Sequence, residues 1–155
     1  MQKDTRPVPI VFTLNNADDL NFLGVAFSWF SYLFYEEESS IHQFIKEINL
    51  FTKEQFDLLN TRISNKRNKS IPMNEKHFII MYGVISYCGK MIKCQKDIEF
   101  ILADTELEVG SNFKNIKEPF INFSNNNTSD LKHLYRNHHT LAAAMAKINT
   151  FQIPE

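Results

Sequence analysis

Phe78-Ile-Ile-Met-Tyr-Gly-Val-Ile-Ser-Tyr-Cys-Gly-Lys-Met-Ile92 is the stretch on which the fold turns. It is too long for a strand, and it follows a helix start: Asn74 is a favourable N-cap, with Pro72 just ahead of it. Met73 and Phe78 stand at the two positions where a hydrophobic staple closes. A helix is therefore expected from Asn74, running on towards Asp104. At 100° per residue, Gly83, Ser86, Lys90, Lys93, Asp97 and Asp104 fall in one narrow arc, while bulky apolar residues fill nearly every other position as far as Lys90. Such a helix is buried on most sides. Its thin stripe either sees water or receives a close neighbour.

A second stretch has the same character. Between Asp19 and Glu36 the chain carries no charge, and Leu20, Leu23, Phe27, Phe30 and Phe34 form one apolar stripe beside another of Phe22, Ala26, Trp29 and Leu33. The run is shorter than the roughly 20 residues a membrane span needs, and acidic residues flank it, so it reads as a core helix. Asn21, Gly24, Ser28 and Ser31 share its remaining arc. This arc and the one holding Gly83, Ser86 and Lys90 are the candidate binding surfaces: the two helices cross there, or each turns that face to solvent. The solvent reading is the simpler one.

Outward from these two rods the signals are more local. Residues 1 to 7 read as a loose tail, and Val8 to Thr13 as a short extended segment, with Val109 and Phe120 to Phe123 as conceivable pairing partners. Glu36-Glu-Glu-Ser-Ser40 interrupts the first helix; the apolar phase continues through Ile41, Phe44, Ile45 and Ile48, but Ser39 or Ser40 offers a new cap, which favours a break. Thr52 with Gln55 makes a capping box and Phe51 with Phe56 a staple, so a helix starts at Thr52. It dissolves into a polar loop from Ser64 to Ser70. Pro119, Gly110 and the run Asn125 to Ser129 predict a long irregular loop over 105–129. A last amphipathic helix is expected from Ser129 or Asp130, with Leu131, Leu134, Tyr135, His138, Leu141, Ala142, Met145 and Ile148 on its apolar face. The expected architecture is all-α: a single-domain bundle of four to six helices over residues 1–155, with a long irregular loop before the last helix.

Composition narrows the function without naming it. A charged fraction of 23% against 43% hydrophobic rules out wholesale disorder. A net charge of -1, with Lys66-Arg-Asn-Lys69 and Lys90, Lys93 and Lys96 as the only basic concentration, argues against nucleic acid or an anionic membrane as partner. Four glycines, far apart, cannot build a phosphate-cradling loop. Cys88 and Cys94 lie about 9 Å apart along a helix and point away from each other, so they read as free buried thiols of a cytoplasmic protein.

Catalytic motifs are sought in vain: there is no Glu-x-x-His pair, His-Glu-x-x-His, Cys-x-x-Cys or Gly-x-Ser-x-Gly. Glu38 and His42, one turn apart if helical, with His138 from the last helix, make the nearest approach to a metal site. A solvated pair and a core histidine are the plainer readings. No cofactor is implied. Fourteen phenylalanines, the acidic Glu36 to Glu38 and the missing catalytic motifs favour a non-enzymatic protein-interaction module, one that sequesters or neutralises a protein partner or self-associates as a homodimer. Carriage of a small apolar ligand, and a metal-dependent enzyme using Glu38 and His42, are the alternatives.

Overall fold

The computed structural model describes residues 10–14, 17–65, 70–94, 113–134 and 139–151. In chain order these form β1 (Ile10–Thr13), α1 (Ala17–Phe34), α2 (Ser40–Ile48), α3 (Lys53–Ser64), β2 (Ser70–Met73), α4 (Glu75–Cys94), α5 (Phe113–Leu134) and α6 (His139–Asn149). Among the described residues the architecture is all-helical apart from one two-stranded antiparallel ribbon. No helix among the described residues is long and apolar enough to cross a membrane.

Helix α4 is the centre, as its sequence requires. It starts where Asn74 Oδ1 accepts from the His77 amide at 2.8 Å, and Phe78 to Ile85 are buried without interruption. It packs against α1, α3, α5, α6 and β2. Contact with α1 runs through Cys88, whose Sγ donates to the Ala26 carbonyl at 3.4 Å, and through an edge-to-face pair of Tyr87 and Phe30. One apolar cluster extends from these two helices into all the others. Eleven phenylalanines are buried and Phe44 is half-buried; Phe100 and Phe113 lie outside the residues whose side chains are described. Among the described residues the phenylalanines therefore build the core, which weakens one support of the interaction reading.

Local signals translate directly. The capping box of Thr52 and Gln55 is formed in both directions, and Phe51 stacks on Phe56 at 6.3 Å. The chain breaks between α1 and α2, where Ser39 caps α2 by accepting from the His42 amide and anchors itself by donating to the Leu33 carbonyl. Asn49 ends α2 in the left-handed conformation, one that asparagine tolerates better than most residues.

Four expectations are corrected. The strand Ile10–Thr13 pairs with Ser70–Met73 and not with Phe120 to Phe123, so the end of the supposed polar loop is a strand. Val109 lies outside the described residues. Pro72 is tolerated because the ribbon has only two strands and a proline can stand on its free edge.

The long loop expected over 105–129 is helical from Phe113 onward, and residues 105–112 lie outside the described residues. Phe120, Phe123, Asn127 and Leu131 are buried at spacings of three and four, but with asparagine in an apolar slot the period is hard to see. Two members of the polar run bond back to their own helix, Asn127 Nδ2 donating to Phe123 O at 2.8 Å and Thr128 Oγ1 to Ser124 O at 2.8 Å, while Asn127 Oδ1 is buried with no hydrogen-bond partner among the described residues. Pro119 is exposed and removes one backbone donor, which the buried stripe outweighs.

The last helix does not begin at Ser129 or Asp130; both are interior to α5, and α6 starts at His139. Tyr135 and His138 lie outside the described residues, as do the tail 1–7, Lys66 to Lys69 and the continuation of α4 through Asp97 to Asp104. Finally, Cys94 is exposed at the end of α4, and only Cys88 is buried.

Candidate functional site

The two candidate stripes do not meet. On α1, Asn21 and Ser28 are exposed, Gly24 and Ser31 are half-buried, and a Cβ built on Gly24 would touch nothing within 4 Å. This stripe faces out. On α4, Gly83 is buried and Ser86 and Lys90 are half-buried, and a Cβ on Gly83 would stand 3.7 Å from Ile148 Cδ1 of α6. This stripe faces in. Each stripe therefore belongs to a different feature of the surface.

The outward stripe continues into two aromatic residues that the sequence reading placed on neither apolar stripe. At 100° per residue Tyr32 and Tyr35 fall in the same arc, about 100° wide, as Asn21, Gly24, Ser28 and Ser31. Tyr32 is 48% exposed and Tyr35 43%. The signal was present in the spacing: Tyr32 follows Ser28 by four residues.

Tyr35 is fixed against α3. Its hydroxyl donates to Asp57 Oδ1 at 2.5 Å and accepts from Asn60 Nδ2 at 3.5 Å, while Lys53 Nζ lies 5.3 Å from the ring centre. Partial burial, and then the bond to Asp57, hold its phenol proton above the usual tyrosine range. Leu58, next to Asp57, is 72% exposed, and the turn after Tyr35 carries the exposed Glu36, Glu37 and Glu38. The face thus joins a shallow track of small residues, two aromatic rings and three carboxylates.

The inward stripe lines a cleft between α2, α4 and α6, walled by Phe30, Ile41, Phe44, Ile45, Tyr87 and Lys90 among others. The cleft is nearly full. Phe151, just past the end of α6, forms part of its wall, and about 20 Å³ is open to the centre of a water molecule, room for about one water. Lys90 Nζ donates to the carbonyls of Phe151 at 2.9 Å and Asn149 at 3.3 Å, and Tyr82 donates to Asn149 Oδ1 at 2.9 Å. Desolvation in this setting lowers the Lys90 pKa from its ordinary value. Phe151 carried no signal in the sequence, because it lies beyond the periodic part of its helix.

The proposed metal ligands are not brought together. Glu38 is exposed in the turn before α2, so it is not one helical turn from His42. His42 Nδ1 is 2.8 Å from the Phe34 carbonyl and its ring packs at 5.2 Å on Phe34, the arrangement of a partly buried structural histidine. Among the described residues no three histidine, cysteine or acidic side chains are grouped so as to hold a metal ion.

A second groove, of about 300 Å³, runs between Val11, Phe12 and Thr13 of β1 and Asp130, His133 and Leu134 of α5. It is shallow and open. No protein-family model, curated protein or solved structure matches this chain.

Proposed function

We infer that this protein is a non-enzymatic protein-interaction module, and that it engages its partner through the outward face of α1 and the adjoining part of α3. The observation carrying this reading is the exposure of Tyr32 and Tyr35 beside three carboxylates; among the described residues Val11, Leu58 and Leu134 are the other exposed large apolar side chains. A partner segment bearing lysine or arginine matches Glu36 to Glu38. The small residues Gly24 and Ser28 let a partner helix approach closely, and the two tyrosines supply rigid apolar area with a polar end. The chemistry is that of a binding protein that sequesters or neutralises its target. A reducing, cytoplasmic setting fits the unpaired, exposed Cys94.

The other readings have less support. A carrier of a small apolar ligand needs space, and the α2/α4/α6 cleft leaves only about 20 Å³ open to the centre of a water molecule. A metal-dependent enzyme needs ligands beyond Glu38 and His42.

The reading is tested by affinity capture with the wild-type chain and two surface variants, Tyr32→Ser and Glu36→Lys/Glu37→Lys/Glu38→Lys. A protein captured by the wild type, lost from both variants and released by salt supports it. Capture that both variants retain overturns it, as does a strict monomer with no partner by native mass spectrometry. Self-association abolished by the same variants makes a second copy the partner.

A further inference from the structure

The two edges of the β1/β2 ribbon are not alike. Pairing runs Ile10 with Met73, Val11 with Pro72, Phe12 with Ile71 and Thr13 with Ser70. In an antiparallel ribbon, pairs whose N–H and C=O groups face each other alternate with pairs whose groups all face away. Pro72 has no N–H, and its carbonyl accepts from Arg62 Nη1 at 3.0 Å, so Val11 and Pro72 are a pair that faces away. Thr13 and Ser70, two residues on, are the next, and their hydroxyl oxygens stand 3.4 Å apart. The free edge of β2 is therefore blocked at Pro72, which offers no donor and whose carbonyl is taken by Arg62. The free edge of β1 is open. It presents the N–H and C=O groups of Val11 and Thr13, and the strand Ile10-Val-Phe-Thr13 carries none of the charges or prolines that keep an edge from pairing.

The groove between β1 and α5 lies along this open edge. Because it touches Val11, Phe12 and Thr13 in succession, it reaches residues on both faces of the strand and so follows the edge. Val11 and Leu134, 49% and 42% exposed, both line it. On the α5 wall, exposed Asp130 adds a carboxylate. Backbone groups turned outward, apolar side chains and one negative charge thus converge on the same groove, away from the α1/α3 face.

We propose that this groove binds an extended peptide segment of a partner protein, which adds to β1 as a third strand. Val11 and Thr13 hydrogen-bond its backbone, Val11 and Leu134 cover its apolar side chains, and Asp130 pairs with a lysine or arginine. With β2 on one side of β1 and α5 across the groove on the other, the space suits one added strand with no sheet behind it. A second copy would bring its own β2 along with β1, so an isolated segment fits better.

The test titrates the full-length chain with the peptide acetyl-Lys-Val-Thr-Val-Lys-amide and follows it by NMR. The Val11 and Thr13 amide signals are expected to move downfield and to exchange more slowly, with a Kd below about 1 mM. Val11→Pro removes an outward donor and keeps the pairing with β2, as Pro72 does from the other strand, and should weaken binding at least about tenfold. Asp130→Lys, on the exposed side of α5, should weaken binding and reduce its salt dependence. No change at Val11 and Thr13 in about 1 mM peptide, or binding that both variants retain in full, overturns the proposal.

Two modified peptides give a readout that does not depend on how a variant folds. One is N-methylated at both valines, the other at the threonine and the second lysine. An added strand turns alternate amides towards β1, so one of these peptides is expected to lose binding and the other to keep it. Equal binding of the two overturns the proposal. A dimer of the wild-type chain that Val11→Pro dissolves would put a second copy's strand on the edge and also overturn it.

Discussion

Gly89 of α4 and Ser124 of α5 lie so close that a Cβ on the glycine would stand 2.8 Å from the serine Cβ. Real Cβ atoms do not approach other carbons that closely, so the crossing of these two helices depends on hydrogen at position 89. The serine hydroxyl completes the contact by donating to the Ile85 carbonyl at 3.1 Å. Gly89→Ala gains helix propensity but overpacks the crossing, and a net loss of about 1–3 kcal/mol is expected. In a double-mutant cycle by urea denaturation, Ser124→Gly should relieve the clash, with a coupling of about 0.5–3 kcal/mol. Strict additivity of the two substitutions would show that the helices do not meet there.

Phe56 is fully buried on α3 and touches Phe27, Phe30, Phe34, Tyr35 and Phe51. Its removal opens a cavity that five neighbouring rings cannot readily collapse into, so Phe56→Ala should cost about 3–5 kcal/mol. Thr52→Ala, which deletes only the cap of the same helix, should cost about 1 kcal/mol. Thermal unfolding of the two variants gives the comparison. Equal losses would mean that α3 is held by its cap more than by its aromatic seat.

The two thiols should react very differently. Cys88 is fully buried and desolvation pushes its pKa well up, whereas Cys94 is exposed at the end of α4. A chromogenic disulfide reagent should titrate one thiol in the native protein and two in denaturant, with Cys94→Ser abolishing the native reaction. Prompt reaction of both thiols in the folded state would contradict the burial of Cys88.

His77 links stability to pH. Desolvation, and then the charge of Arg62, lower its pKa below 6.5; Arg62 Nη1 lies 3.5 Å from His77 Nδ1, in position to donate to it, and donates to the Pro72 carbonyl at 3.0 Å. Between the folded-state pKa and 6.5 the unfolded chain binds the proton more than the folded one does. Stability therefore rises with pH across that interval and is lost on acidification through it. An NMR titration should place the His77 midpoint below 6.5, Arg62→Gln should move it up, and His77→Gln should flatten this part of the pH–stability curve. A wild-type midpoint at or above 6.5 would refute the assignment.

How far the fold could be read in advance depended on whether a signal was local or averaged over the chain. The Thr52 capping box, the Asn74 start and the α1/α2 break at Ser39 each lie within a few residues, and each formed as its side chains require. Helix α5 was missed because Ser124 and Asn127 sit at buried positions. The Ser124 hydroxyl and the Asn127 side-chain NH2 donate to carbonyls of α4 and of α5 itself, which composition cannot reveal. Strand β2 was missed because a four-residue segment containing proline has no periodicity to detect, and only its partner β1 makes it a strand.

The candidate surfaces divide in the same way. The sequence by itself determined that α1 and α4 are apolar rods, each with one slim face of small or charged residues, because helical spacing alone places those residues together. Only the tertiary structure decided that the α1 face turns outward towards Tyr32, Tyr35 and the acidic turn, while the α4 face turns inward to hold Phe151. The physical reason is that a face of small residues is compatible with water or with close packing, and the neighbours that choose between them, α3 and the end of α6, are brought in from distant parts of the chain.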